Sequence, residues 1–380
     1  MQRGPAPRGA DDDEDDEKRV PLLGTVEDGA GGERGAEDDL SKGCSPFAAA
    51  ANLTMSVLGA GQLTLPYALQ RMGLACGLAT LAALGGLGAY VLTCLASCAE
   101  PKGGEGGRGK RCYGTLVGAS LHPHARTAAD ALLAVYAFGG SVSFNIIIAA
   151  QLSTLAHHAG LSGLWANRDA LLALVTFALV LPLSFLRDLA WLKHTSVLGS
   201  FAAVLITGVV CAEADWRASF SAGPCGGAKA RLWPESAQDA FAAVPLFAFA
   251  LNSAWAFVPV RASMAHPTRE RVAALVWGSK ALILANYLLI ALVGYLSLCG
   301  EGIEDNVLDN LPPRPAVTLA RGALALQLSL ALPLRNNVAR GVLLRSARAA
   351  PGAHYGCTAA LVVGAFGFAL ATHSLHTAIG

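Results

Sequence analysis

The chain has 380 residues, of which 53% are apolar and only 14% charged, and its formal net charge is +1. Soluble domains carry about 25% charged residues, so this composition argues against an ordinary soluble protein. The charged residues occur in clusters, and the windows between them are long enough to cross a membrane. We therefore predict an all-α membrane protein.

The first 44 residues form a separate, acidic segment. They hold 13 acidic and 6 basic residues and few apolar ones. Such a composition buries too little apolar surface to offset the entropy of ordering, so we predict a disordered cytosolic tail. Leu22 and Leu23 follow the acidic run, as in an acidic dileucine sorting signal; a merely solvated tail is the alternative. The first apolar segment begins too late for a cleavable signal peptide.

Nine apolar windows follow the tail. A bilayer core about 30 Å thick needs roughly 20 mostly apolar helical residues. Eight windows of about that length contain no charge, and a ninth contains only Arg321; they cover residues 46–70, 74–98, 131–156, 170–186, 195–212, 240–260, 281–299, 315–334 and 355–379. The pattern predicts about nine membrane spans.

The basic residues of the loops indicate an orientation. If the tail is cytosolic, the cytosolic loops hold 14 basic residues, with Arg335 and Arg340 among them, and the opposite loops hold 6. Lys and Arg are enriched in cytoplasmic loops. We predict a cytosolic amino terminus and place the loop of residues 213–239 on the opposite face.

The first predicted span is irregular. Gly59, Ala60 and Gly61 lie near its centre, and Pro66 follows. Glycine weakens a helix, and proline removes one of its hydrogen bonds. In lipid, unpaired backbone is tolerated only where protein or a watery cavity surrounds it, so a helix break is predicted here. Close helix packing through small residues is the alternative.

The sixth predicted span is irregular in a similar way. Pro245 and Pro259 bracket an aromatic stretch with Asn252 and Ser253 at mid-depth. Interrupted spans in corresponding positions of two halves point to a transporter's central site, and spans one and six correspond if each half has five helices. Free amides at a broken helix end would suit a carboxylate.

Several segments together resemble a known family. They are residues 58–69 (LGAGQLTLPYAL), 146–152 (IIIAAQL), 182–189 (PLSFLRDL), 195–199 (TSVLG), 247–252 (FAFALN), 294–297 (GYLS) and 305–312 (DNVLDNLP), with Arg321, Pro333 and Arg340 spaced around the eighth span. From about residue 46 onward, the chain resembles the amino acid/auxin permease family. This family includes sodium-coupled neutral amino acid transporters and vacuolar amino acid transporters.

The resemblance implies a fold and a substrate site. The fold would be a five-plus-five inverted repeat in a domain of residues 45–380, with repeats at about 46–214 and 239–380 and with helices 1 and 6 discontinuous. The amides of Gly59, Ala60 and Gly61 would bind a substrate carboxylate, and carbonyls of the sixth span would face the amine. The implied substrate-binding residues are Gly59, Ala60, Gly61, Gln62, Ala248, Phe249, Ala250 and Asn252.

The coupling ion is less clearly indicated. Ser329 matches a hydroxyl that helps to bind sodium in sodium-coupled relatives, although it could instead bond back to its own helix. Met55 and Ala150 stand where that branch has an asparagine and a carboxylate, so proton coupling is preferred. Lys280 lies deep in a span, where it either snorkels to the cytosol or takes part in coupling. Arg321 is expected to snorkel outward.

These observations predict secondary active transport of amino acids, with neutral side chains favoured, by alternating access. The alternative is a transport-derived sensor or an inactive truncated relative. An enzyme is not expected, because His157, His158, His373 and His376 lie at segment ends without carboxylates. No cofactor beyond a coupling Na⁺ or H⁺, no metal site and no nucleic acid partner is expected. The resident membrane would be the plasma membrane or a vacuolar or lysosomal membrane.

Members of this family usually have eleven spans, whereas nine windows are present here. We therefore expect the C-terminal spans of the repeat to be missing from this sequence. A shortened relative that pairs with a partner subunit is the alternative.

Overall fold

A computed structural model describes residues 44–99, 113–186, 192–214, 231–297, 302–346 and 352–379. These ranges are helical with short connections, and their isolated bridge joins Cys44 to Met264. The predicted tail and its dileucine segment lie outside the described residues, apart from Cys44.

The described helices have the following bounds: α1 Pro46–Val57, α2 Gly61–Met72, α3 Leu74–Cys98, α4 Tyr113–Ser120, α5 Pro123–His158, α6 Arg168–Val175, α7 Leu181–Phe185, α8 Leu192–Glu213, α9 Ala237–Leu251, α10 Ala254–Ala262, α11 Arg269–Ser297, α12 Pro315–Ser346 and α13 Ala353–Ile379. A π-helical turn, Thr176–Val180, joins α6 to α7. Short 3₁₀ turns occupy Gly163–Ala166 and Val307–Asn310.

Seven helical segments are long and apolar enough to cross a membrane: Leu74–Cys98, His124–His158, Arg168–Phe185, Ala237–Ala262, Arg269–Ser297, Pro315–Leu344 and Ala353–Thr372. The predicted first span consists instead of α1 and α2, each 12 residues long. The predicted fifth span corresponds to α8, whose apolar part is Val197–Glu213. The prediction of an all-α membrane protein is confirmed.

Local sequence explains where several helices begin. The Ser45 side chain accepts a hydrogen bond from the Ala48 amide at 3.2 Å, and Pro46 occupies the first turn of α1. Ser236 caps α9 in the same way, by accepting from the Asp239 amide at 3.1 Å. Serine caps satisfy amides that the first helical turn leaves free. These caps fix the starts of two helices that end at the breaks described below.

Helix α12 lies at the centre of the bundle. It packs most extensively on α5 and α8, while α11 packs on α1, α2 and α3, and α2 packs on α9. An ion pair of 2.7 Å between Arg71 and Asp239 links the end of α2 to the start of α9. Helices α2 and α9, each of which borders one of the breaks described below, are therefore held together.

One part of the loop assignment is wrong. The sequence places Arg335 and Arg340 in a loop, but α12 continues to Ser346 and both side chains are buried. Arg340 donates to the Ser184 carbonyl at 2.8 Å and to the Thr358 hydroxyl at 2.9 Å. Partners on neighbouring helices thus allow Arg340 to be buried inside the bundle, where the apolar window read from the sequence had stopped.

Candidate functional site

Two interrupted helices meet in the middle of the bundle. Helix α1 ends at Val57 and α2 begins at Gly61, so residues 58–60 are not helical. Helix α9 ends at Leu251 and α10 begins at Ala254, with Asn252 and Ser253 between them. Both predicted breaks are therefore present in the fold. Each break frees amides on one side and carbonyls on the other.

Glycine at position 61 permits the two breaks to approach each other. A Cβ atom built on Gly61 would lie 2.9 Å from the Cα of Ala250. Real Cβ atoms do not make such a contact with backbone. A side chain at this position would push α2 away from α9.

The first break leaves three consecutive amides free. Among the residues that the structure describes, the amides of Gly59, Ala60 and Gly61 have no hydrogen-bond acceptor. The next amides make tight-turn bonds instead: Gln62 donates to the Gly59 carbonyl at 3.3 Å and Leu63 donates to the Ala60 carbonyl at 3.1 Å. Free amides at a helix start attract anions, since the helix dipole adds positive potential there.

Side chains of α11 and α12 satisfy the carbonyls at the two breaks. The Tyr287 hydroxyl lies 2.7 Å from the Val57 carbonyl and 3.0 Å from the Ala250 carbonyl, so a single group bridges both breaks. Gln327 donates from Nε2 to the Leu58 carbonyl. Lys280 donates from Nζ to the Leu251 carbonyl at 3.1 Å.

Sequence reasoning missed Tyr287 and Gln327. Both lie in apolar windows without a charge or a helix breaker beside them. The available signal was the presence of a long polar side chain in each otherwise apolar span. A buried polar group needs a partner, and in these spans the partners are the carbonyls that the breaks release.

A small cavity of about 10 Å³, which has room for about one water molecule, lies at the junction of the breaks. Its lining comes from α1, α2, α5, α9, α12 and the two breaks: Ser56, Val57, Gly59, Ala60, Gly61, Tyr136, Phe144, Phe249, Ala250, Asn252 and Arg335. The three free amides therefore belong to residues that line a cavity. Arg335, which the sequence placed in a loop, is also part of this lining.

Six of the eight predicted substrate-binding residues line this cavity, namely Gly59, Ala60, Gly61, Phe249, Ala250 and Asn252. Asn252 also accepts a hydrogen bond from the Ala254 amide at 3.3 Å. Ala248 lies on an exposed face of α9 and outside the lining. Gln62 is also outside the lining; its side chain is fully buried, and both of its amide atoms have no hydrogen-bond partner among the described residues.

Lys280 does not snorkel. Its side chain is 1% exposed, and the ammonium ends on the Leu251 carbonyl inside the bundle. The carbonyls that end α9 carry the negative pole of the helix dipole, which favours a cation there. The internal partner explains why this side chain does not extend to the membrane surface.

Ser329 makes the local bond that the sequence left as an alternative. Its hydroxyl donates to the Ala325 carbonyl of the same helix at 2.7 Å. Met55 is buried and packs close to Gly199 of α8, where a Cβ would lie 2.8 Å from the methionine side chain. A thioether is a poor ligand for a hard cation, so Met55 offers no oxygen to sodium.

Arg321 is bound inside the protein. Its Nη1 lies 2.7 Å from the Asp309 carboxylate and 3.1 Å from the Gln151 amide oxygen, and its Nη2 lies 2.8 Å from the Leu308 carbonyl. The guanidinium turns toward the segment before α12, but only 6% of its side chain is exposed. Arg321 therefore anchors that segment to the bundle. The expectation that its side chain snorkels outward to the membrane surface is wrong.

Comparison with known proteins identifies the family. Residues 42–369 match the model of the family described as transmembrane amino acid transporter protein. The chain belongs to this transporter family. The resemblance read from the sequence motifs is thereby confirmed.

Individual relatives of the transporter family match at modest identity. Sodium-coupled neutral amino acid transporter 7 of Homo sapiens is 27% identical over 293 residues, which cover 75% of this chain and 61% of that protein. Vacuolar amino acid transporter 5 of Schizosaccharomyces pombe is 29% identical over 256 residues, or 66% of this chain and 57% of that protein. The chain thus spans about three-fifths of these relatives. They are named as transporters and not as enzymes, which agrees with the prediction.

Proposed function

We propose that the chain carries amino acids across a membrane by alternating access, and that the cavity between the two broken helices widens to form the substrate site. The observation that carries this proposal is the set of three free amides, Gly59, Ala60 and Gly61, which belong to residues that line the cavity. A substrate α-carboxylate would bind these amides. The amine would face the carbonyl end of α9 near Ala250, where the helix dipole is negative.

The proposed architecture is the five-plus-five inverted repeat. Helices α1 and α2 would form the first span and α9 with α10 the sixth, among about nine spans in this sequence. Support comes from two breaks that face each other across a cavity, as this architecture requires. The amino terminus would be cytosolic, because the excess of basic residues stays on that side after Arg335 and Arg340 are removed from it. The resident membrane would be the plasma membrane or a vacuolar membrane, as the relatives suggest.

The same contacts suggest how access could alternate. Helices α2 and α9 are joined by the ion pair of Arg71 with Asp239, and each is separated from its other half by a break. The backbone at a break can rotate without the loss of regular helix bonds. In the proposed cycle, α2 and α9 move as one unit relative to α1 and α10, while Tyr287 holds the carbonyls between them.

We propose proton coupling rather than sodium coupling. Met55 brings no oxygen, so Ser329 alone remains as a side-chain candidate for a hard cation that wants several oxygen ligands at once. Lys280 is a titratable group in direct contact with the break in the sixth span. Protonation of Lys280 would change the charge at the end of α9. A coupling group needs such an effect on the helix that borders the substrate site.

Substrate binding to the purified full chain tests the site. In Gly61→Val, the new side chain would occupy the approach to Ala250, and we expect binding of amino acids to be abolished. Gly278→Val on α11 is the matched control, since a Cβ at Gly278 has no atom within 4 Å. Both variants should insert into membranes. Binding that survives in Gly61→Val would remove the cavity from the proposal.

Uptake into vesicles tests transport and coupling. Purified protein in liposomes should concentrate amino acids when the pH gradient is imposed, with neutral amino acids as the reference class because of the relatives' names. A sodium gradient alone should drive no uptake. Binding without any uptake would favour the sensor alternative, and sodium-driven uptake would contradict the coupling proposal.

A further inference from the structure

Arg335 is a buried cation at the central cavity. Its side chain is 4% exposed, and it contributes to the same lining as Gly59, Ala60 and Gly61. Three aromatic rings surround the guanidinium: its carbon lies 5.6 Å from the ring centroid of Tyr136, 4.6 Å from that of Phe144 and 5.0 Å from that of Trp255. These rings come from α5 and α10, so three helices build the site.

The backbone of α5 also makes room for this side chain. A Cβ atom on Gly140 would lie 1.9 Å from Nη1 of Arg335. Any other residue at position 140 would displace the guanidinium from its place between the rings. Several residues around Arg335 therefore determine the position of its guanidinium.

Two of the three guanidinium nitrogens of Arg335 lack a hydrogen-bond acceptor within the described part of the chain. Nε and Nη1 of Arg335 are buried and have no partner among the described residues. Aromatic faces attract the charge, but they leave planar N–H groups unpaired. A carboxylate oxygen is a strong acceptor for such unpaired guanidinium N–H groups.

The charges buried in the core also indicate that an anion binds beside Arg335. The buried charged side chains of the described residues are Lys280, Arg321, Arg335 and Arg340, and all four are cationic. Arg321 has a carboxylate partner in Asp309. No acidic side chain lines the cavity around Arg335 among the described residues. A buried cation without a counter-charge is costly in a membrane, so an anion is expected beside it.

We propose that Arg335 binds a carboxylate on the side chain of the solute, so that the cavity selects amino acids with an acidic side chain. This rests on the proposed function, in which the α-carboxylate and the α-amine occupy the two broken helix ends. The side chain of a bound amino acid is then the group left to meet Arg335. A neutral zwitterion would leave the cavity positively charged, whereas an acidic amino acid would neutralise it.

Binding of L-glutamate and of its near-isostere L-glutamine to the purified full chain tests this inference. We expect glutamate to bind at least about tenfold more tightly than glutamine, since only the carboxylate supplies a charge-assisted bond. In Arg335→Gln this ratio should fall at least about tenfold. Arg335→Lys should give an intermediate ratio, because it keeps the charge and loses the planar fork. Arg314→Gln, which removes an exposed cation paired with Glu213, is the control and should keep the ratio.

The possible outcomes separate the inference from the proposed function. Equal binding of glutamate and glutamine by the unmodified protein, lost in Gly61→Val, would overturn the acidic preference and leave the amino acid site in place. A ratio that stays unchanged in Arg335→Gln would also overturn it. If neither amino acid binds, this inference fails, and the proposed function fails as well only if no other amino acid binds. The ratio in the unmodified protein decides the matter even if an Arg335 variant does not fold.

Discussion

Tyr287→Phe isolates the one hydroxyl that bridges both breaks. The oxygen lies 2.7 Å from the Val57 carbonyl and 3.0 Å from the Ala250 carbonyl, and the side chain is fully buried. The variant removes the single donor proton and keeps the ring. Hydrogen bonds between membrane helices average about 0.6 kcal/mol, and a buried acceptor left unpaired costs about 1–3 kcal/mol. We therefore expect the contact between the two breaks to be weakened by about 0.6–2 kcal/mol.

That loss should appear in substrate affinity, because the proposed site depends on the relative position of the two breaks. A change of 0.6–2 kcal/mol corresponds to roughly 3- to 30-fold weaker binding. Equilibrium binding by the purified protein measures it. Tyr295→Phe is the matched control: Tyr295 is on the same helix, and its hydroxyl donates to the Arg231 carbonyl at 3.3 Å, outside the cavity lining. Equal affinities for the two variants and the unmodified protein would refute the bridging role of Tyr287.

Three further predictions concern charges and hydroxyls of the spans. Lys280→Met should abolish the dependence of uptake on the pH gradient, since it removes the ammonium from the break; an unchanged pH profile in vesicles would contradict the coupling proposal. Ser329→Ala should leave uptake unchanged with and without sodium, because the hydroxyl bonds only within its helix; a sodium-dependent loss would reveal a sodium site. Asp309→Ala should destabilise the protein by about 1–3 kcal/mol in thermal melts, since the buried Arg321 loses its counter-charge; an unchanged melt would show that the pair is dispensable.

The sequence predicted the helical class and the two breaks because these depend on local rules. An apolar window of about 20 residues indicates a membrane-spanning helix, and glycine or proline weakens a helix at any position in it. The bounds of α1, α2, α9 and α10 therefore agree with the predicted interruptions. Six predicted site residues line the cavity because they lie in the breaks or within three residues of them.

The sequence did not predict which side chains reach the breaks. The partners of the free carbonyls, Tyr287, Gln327 and Lys280, come from helices distant in the chain, and their contacts depend on how helices rotate against each other. Arg335 was assigned to a loop because a charge usually ends an apolar window. Its burial depends on the rings of α5 and α10 and on the space at Gly140, none of which is visible in the local sequence.

An experimental structure of the protein with a saturating amino acid would test the central claim most directly. The account predicts density in the cavity, with the α-carboxylate within hydrogen-bond distance of the amides of Gly59, Ala60 and Gly61. It also predicts that the side chain points toward Arg335. A well-defined amino acid bound elsewhere, with this cavity empty, would contradict the account.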